Sequence, residues 1–180
     1  MNIREHKFFD GCSVKVARQA KEAFEAMSKD MDKPTKEKSL KRLNAELDVI
    51  MGNGYFYEYY LFTYIVQYTL MLRRLISVQG LSAYSYVAYL LGITTVNPVE
   101  RDYPMEILFG YHHDRTPWFD IYTSPSFKPE ILEFLYRNNE PDFPPYKFLA
   151  AGTGSSIAAR HFILYSAGDS LSGRYLPRDY

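Results

Sequence analysis

From residue 13 onward the apolar positions recur at helical rather than strand spacing. In residues 13–29 (SVKVARQAKEAFEAMSK), Val16, Ala20, Ala23, Phe24 and Met27 fall on one side of a helical wheel, with Lys and Glu on the other. Asp32-Lys33-Pro34-Thr35 interrupts the pattern. Thr35 is placed to cap a second helix running to about Met51, with Leu40, Leu43, Leu47 and Ile50 as its apolar stripe. Gly52-Asn53-Gly54 then supplies a stop, because both residue types tolerate the left-handed conformation of a helix end.

Beyond the stop the pattern alternates short strands with helices. Residues 55–61 are dense in aromatics, which predicts a strand, and 63–75 predict a helix. Gln79-Gly80-Leu81-Ser82 reads as a turn before a small-residue helix over 82–91, ended by Gly92. Asn97-Pro98 predicts an extended loop, since a residue before proline avoids the helical region. A strand is expected at 118–123 (WFDIYT), a helix at 129–138 with Pro129 in its first turn, and a loop at 139–145. Another strand is expected at 146–151, and the run 152–156 (GTGSS) is expected to open a helix reaching Tyr165. No internal repeat is present. The pattern predicts one α+β (mixed α/β) domain over 1–180, with N-terminal helices at about 13–51, a core at 52–166 and a loose tail at 167–180.

Composition narrows the chemistry. Seventeen tyrosines against one tryptophan suit core edges, interfaces or base stacking. A formal net charge of zero argues against a module that grips nucleic acid unaided, because phosphate neutralisation supplies most of that affinity. A single cysteine, Cys12, excludes an internal disulfide and a thiolate zinc cage. Met1-Asn2-Ile3-Arg4-Glu5 carries no apolar leader, and the apolar run 55–72 is interrupted by Glu58 and Gln67, so a cytoplasmic protein with no membrane span is expected.

Several motifs in fixed order carry a family resemblance. RLNAELDVIMGNGYFYEYYLFTYIVQ, from Arg42, is followed by VQGLSAYSYVAYLLGITTVNPVERDY, then PMEILFG, PWFDIYTS and FLAAGTGSSIAARHF. Over about residues 16–165 this text resembles the palm of bacterial C-family replicative polymerases (DNA polymerase III alpha subunit, Gram-positive type). There the corresponding text reads RLxxELxxIIGNGF, SRGSVGSS-x-VA, GITxVNPLPPHY, IPFETFLG, GDKVPDIDLDFS and FRAGTIGTIADKTA. Gly80, Ser85, Val87-Ala88, Gly92-Ile93-Thr94 and Val96-Asn97-Pro98 stand in the matching places. A four-cysteine zinc insertion that the family carries after NPLPPHY has no counterpart here. The resemblance implies a truncated, degenerate palm: a small mixed sheet with flanking helices, similar to the nucleotidyltransferase fold of polymerase beta.

The substitutions bear on the chemistry. Phosphoryl transfer by a polymerase needs carboxylates that hold two metal ions. The family sets two of them two residues apart on one strand, so that both point to one face. By that resemblance Trp118 occupies the first position, Asp120 the second, and Tyr122 replaces the next acid. A third acid lies downstream in the family, beyond the matched stretch. Asp120 alone is insufficient for two hard divalent ions, so no metal site is expected, and Mg²⁺ enters only if some activity remains. In the nucleotide-binding turn the family's arginine matches Gln79, and small residues match Leu81 and Tyr84. Gly80, Ser82 and Ser85 are what remains of it.

Each weaker candidate has a blander role beside it. Gly152, Thr153 and Ser155, with Arg160 nearby, are positioned as a remnant DNA-backbone contact, though helix capping accounts for the same residues. His112-His113-Asp114 reads as a solvent loop in place of the lost insertion, because adjacent histidines point opposite ways in an extended chain. The basic run 33–42 (KPTKEKSLKR) reads as a solvated helix face. The expected function is a catalytically inactive relative of the polymerase, of phage or mobile-element type, that binds DNA or a replication protein and self-associates through surfaces a whole polymerase would cover. Residual nucleotide binding or nucleotidyl transfer, through Asp120 with a further acid such as Asp114 or Asp142, and a decayed remnant without activity, stand as alternatives.

Overall fold

The computed structural model describes residues 3–112, 119–124, 126–137, 157–159 and 162–166. Helix α1 spans Ile3–Met27 and closes in a 3-10 turn at Ser28–Asp30. It begins well before the residue 13 that periodicity indicates. Val16, Ala20 and Phe24 are buried as expected, while Met27 is exposed. Helix α2 spans Lys33–Gly52 with Asp32, not Thr35, at its N-cap. Pro34 sits in the first turn, where its missing N–H has no partner to lose, so the helix starts ahead of the proline instead of after it. Leu43, Leu47 and Ile50 are buried, Leu40 is not, and the buried face includes the carboxylate of Glu46.

Helix α3 spans Phe56–Met71, so residues 55–61 are not a strand. Tyr59, Phe62, Thr63, Val66 and Thr69 are buried, a helical spacing that puts one face against the core. The aromatic density that suggests a strand belongs to packing: Phe62 stacks on Phe119 at 4.2 Å, and Tyr59 meets the same ring edge-on at 5.4 Å. Tertiary contact decides the conformation here over β propensity.

Strand β1, Ser77–Gln79, leads into a 3-10 turn at Gly80–Tyr84 and then helix α4, Tyr86–Leu90, so the helix expected over 82–91 is split at Ser85. Helix α5, Met105–Phe109, follows the Asn97-Pro98 loop. Strand β2, Phe119–Thr123, and helix α6, Lys128–Arg137, agree with the sequence reading. Residues 157–166 do not form the expected helix: Ile157–Ala159 is β3 and Phe162–Ser166 is β4. The run Phe162-Ile163-Leu164-Tyr165 suits a pleated surface and pairs with β2 on the side away from β1. The strand expected at 146–151 lies outside the described residues.

The sheet order is β1-β2-β4-β3, with β1 antiparallel to β2, β4 parallel to β2, and β3 antiparallel to β4. Helix α1 packs on α3, α2 on α4, and α3 presses its aromatics onto Phe119 of β2. The result is an α+β fold with a mixed sheet and flanking helices. Among the described residues no helix is long and apolar enough to cross a membrane.

Candidate functional site

The β1–β2 ladder positions the candidate site. Its register pairs Ser77 with Tyr122, Val78 with Ile121, and Gln79 with Asp120. Asp120 also pairs with Ile163 of β4, which makes its backbone central in the sheet. Gly80 comes directly after Gln79, at φ +83°, a conformation that a side chain makes costly. Asp120 and the glycine turn are therefore neighbours across one ladder. Ser82 lies in the 3-10 turn that follows.

Ser85 has a different setting. It is buried, caps α4, and its Oγ accepts from the Ala88 amide at 3.0 Å and from the Tyr59 hydroxyl at 3.0 Å. Its own proton goes to Glu46 Oε2 at 2.9 Å. A hydroxyl has one donor and two acceptor positions, so this set leaves none for a phosphate.

Glu46 is the centre of that network. Its carboxylate accepts from Arg42 Nε at 2.5 Å, the Tyr86 amide at 2.9 Å and the Val87 amide at 3.0 Å, in addition to Ser85. Arg42 directs its remaining nitrogens to backbone carbonyls, Nη1 to Tyr103 at 2.6 Å and Nη2 to Tyr84 at 2.9 Å. A buried charge pair is tolerated only when its other hydrogen-bonding positions are filled, and here they are. Burial, reinforced by the Glu46 charge, drives the Tyr59 hydroxyl well above its ordinary pKa, against the opposing hydrogen bond to Ser85. Tyr59 is thus a neutral donor. The clamp fastens α2 to the C-terminal end of the Gly80–Tyr84 turn, to the start of α4 and to the Tyr103 carbonyl.

Tyr84 leaves little room beside the turn: it is half-buried and packs edge-on against Tyr103 at 4.9 Å. The Asn97-Pro98 loop is tied down in the same way. Asn97 Oδ1 accepts from the Val99 amide at 3.0 Å, and Lys38 pairs with Asp102 and donates to the Val99 carbonyl.

Among the described residues no group of three or more His, Cys, Asp and Glu could hold a metal ion. His112 is exposed, and His113 and Asp114 lie outside the described residues. So do Asp142, Gly152, Thr153, Ser155 and Arg160. The residues that sequence reading did not single out are Arg42, Glu46 and Tyr59. Their signal was present: a glutamate inside an apolar helical stripe, four residues after an arginine, has to be paired to be buried.

The clamp uses the RLxxEL segment on one side and the serine turn on the other, so the motifs that resemble a bacterial replicative polymerase are those that hold this site together. Comparison with known proteins agrees. The chain belongs to the family described as the bacterial DNA polymerase III alpha NTPase domain, whose model matches residues 16–163. It is similar to an error-prone DNA polymerase of Rhodopseudomonas palustris (strain BisB5), 33% identical over 96 residues, covering 53% of this chain and 9% of the relative. A Hahella chejuensis error-prone DNA polymerase is 33% identical over 103 residues, 56% of this chain and 10% of the relative. One from Cutibacterium acnes is 30% identical over 95 residues, 53% and 8% respectively. The matches thus span about a tenth of the length of these relatives.

Proposed function

We propose that this chain is a catalytically inactive member of the polymerase family, with a polymerase-beta-like palm that acts by binding DNA or a replication protein. The observation that carries the reading is the central strand. Where two-metal phosphoryl transfer needs a pair of acids at alternate positions, β2 and the residue before it read Trp118, Asp120, Tyr122. One carboxylate does not replace the hydration shells of two hard cations. The cytoplasm, and a phage or mobile element as source, suit such a protein, as does self-association through a surface other than the outer face of helix α3.

A second reading, residual nucleotide binding, is favoured by one observation: the Gln79-Gly80 step of the turn lies next to Asp120 across the ladder, where Gln79 pairs with Asp120 and Gly80 follows. A thermal-shift titration with deoxynucleoside triphosphates and Mg²⁺ or Mn²⁺, run on the chain and on Asp120→Ala, separates the two. No shift in either is expected. A metal-dependent shift lost in Asp120→Ala would mean that the eroded site still binds, since a ligand of the folded state raises its stability.

A further inference from the structure

Helix α3 is apolar around most of its circumference, yet the core covers only one side of it. On the outer side Tyr64, Gln67 and Met71 recur at i, i+3 and i+7 and are exposed, Tyr64 only in part, with Lys15 of α1 5.1 Å from the centre of its ring. At the C-terminal end the exposed residues become larger and contiguous: Leu70 is 67% exposed, Met71 75%, and Leu75, just past the helix, 93%. Two arginines, Arg73 and Arg74, sit inside this apolar end and are exposed too.

The segment that carries the patch has charge of one sign. Residues 59–99 contain no Asp or Glu, and Arg73 and Arg74 are their only charged side chains. Glu130 of α6 lies 3.8 Å from Arg74, with both side chains about half exposed. Such a pair is weak and readily exchanged. The Arg74 guanidinium also lies 5.5 Å from the centre of the Phe127 ring, which fixes its position without neutralising it. Arg73 occupies a left-handed conformation, φ 52°, at the point where a glycine would end the helix more cheaply.

We propose that the outer face of α3 and its arginine-bearing end form a docking surface for an acidic amphipathic helix of a partner protein. The partner's apolar stripe would lie along Tyr64, Met71 and Leu70, and its carboxylates would meet Arg73 and Arg74. This deepens the binding reading above, on which it rests, by naming the partner's chemistry. Aliphatic and thioether side chains dominate the patch, which suits a peptide helix better than the stacked bases of a nucleic acid. Charge complementarity sets the polarity of the partner: a two-fold pairing of this chain centred on the Arg73-Arg74 end would oppose arginine to arginine, whereas an acidic helix brings carboxylates to both.

The test is a selection from a display library of amphipathic helical peptides against the full chain, followed by affinity measurement of the enriched peptides. Expected are peptides with Asp or Glu clustered at one end of an apolar stripe. Their affinity should fall at least tenfold on the double substitution Arg73→Glu, Arg74→Glu and on Met71→Ser. Both variants change exposed side chains, and an unchanged melting temperature shows that each remains folded. Basic or neutral consensus peptides, binding that survives both variants, or no enrichment would overturn the proposal. So would a dimer in sedimentation that Met71→Ser dissociates, or an oligothymidylate that binds through the same arginines. Failure here is distinguishable from failure of the inactive-polymerase reading, which the nucleotide titration reads by itself.

Discussion

A carboxylate with no exposure to solvent and four donors around it is a commitment at the residue scale. Glu46→Ala leaves the Arg42 guanidinium buried without its partner and frees the Ser85 hydroxyl and the Tyr86 and Val87 amides. Breaking such a buried pair is expected to destabilise the fold by about 3–5 kcal/mol, read as a lower urea midpoint at unchanged slope. Glu46→Gln keeps an acceptor and should lose less. A second expectation concerns alkaline pH. Burial pushes the Cys12 thiol up to about 12, from an ordinary value of 9.0, against the opposing charge of Lys15, and the Tyr59 hydroxyl is raised as well. In both cases the unfolded chain releases its proton first, so the stabilisation is complete below the unfolded pKa and is lost as pH rises toward the folded one. Stability should therefore begin to fall above about pH 9, by up to about 1.4 kcal/mol per pH unit for each group. Cys12→Ala should flatten that fall between about pH 9 and 10 in thermal melts, and an unaltered slope would rule out the thiol as its source.

At the scale of elements, α3 shows what the sequence could and could not convey. The helices α1 and α2 were legible because charged residues alternate with apolar ones at helical period. For α3 that contrast is missing, since nearly every side is apolar or aromatic, and periodicity had nothing to register. The end of α3 was illegible for a related reason: Arg73 takes a conformation that its residue type does not advertise. Replacing it with glycine removes the strain, and Arg73→Gly is expected to stabilise the protein by about 1 kcal/mol in denaturant titration while weakening the proposed docking. The split of the 82–91 segment at Ser85 was hidden too. It depends on Glu46, a residue remote in sequence that turns Ser85 from a nucleotide candidate into a buried cap. At residues 157–166 the glycine-serine run suggested a helix start, whereas pairing with β2 favours strands.

At the scale of the whole molecule, the inactivity proposed above implies a framework kept while the chemistry is lost. The residues that hold the turn and its neighbouring loop, Arg42, Glu46, Ser85 and Asn97, match the family text, and by the same resemblance Trp118 stands where a second acid is expected. On that proposal, metal binding is limited by ligands and not by the scaffold. Trp118→Asp places an acid two residues before Asp120 and restores the alternate-position pair. This variant is expected to gain a Mn²⁺-dependent stabilisation absent from the native chain, about 1.4 kcal/mol with the ion at roughly ten times its dissociation constant. The gain should vanish when Asp120→Ala is added, because neither acid alone holds the ion. Thermal melts of the native chain and the two variants across a Mn²⁺ series measure it. A native chain already stabilised by Mn²⁺ through Asp120 would show that another residue supplies the second ligand, and would overturn the inactive reading.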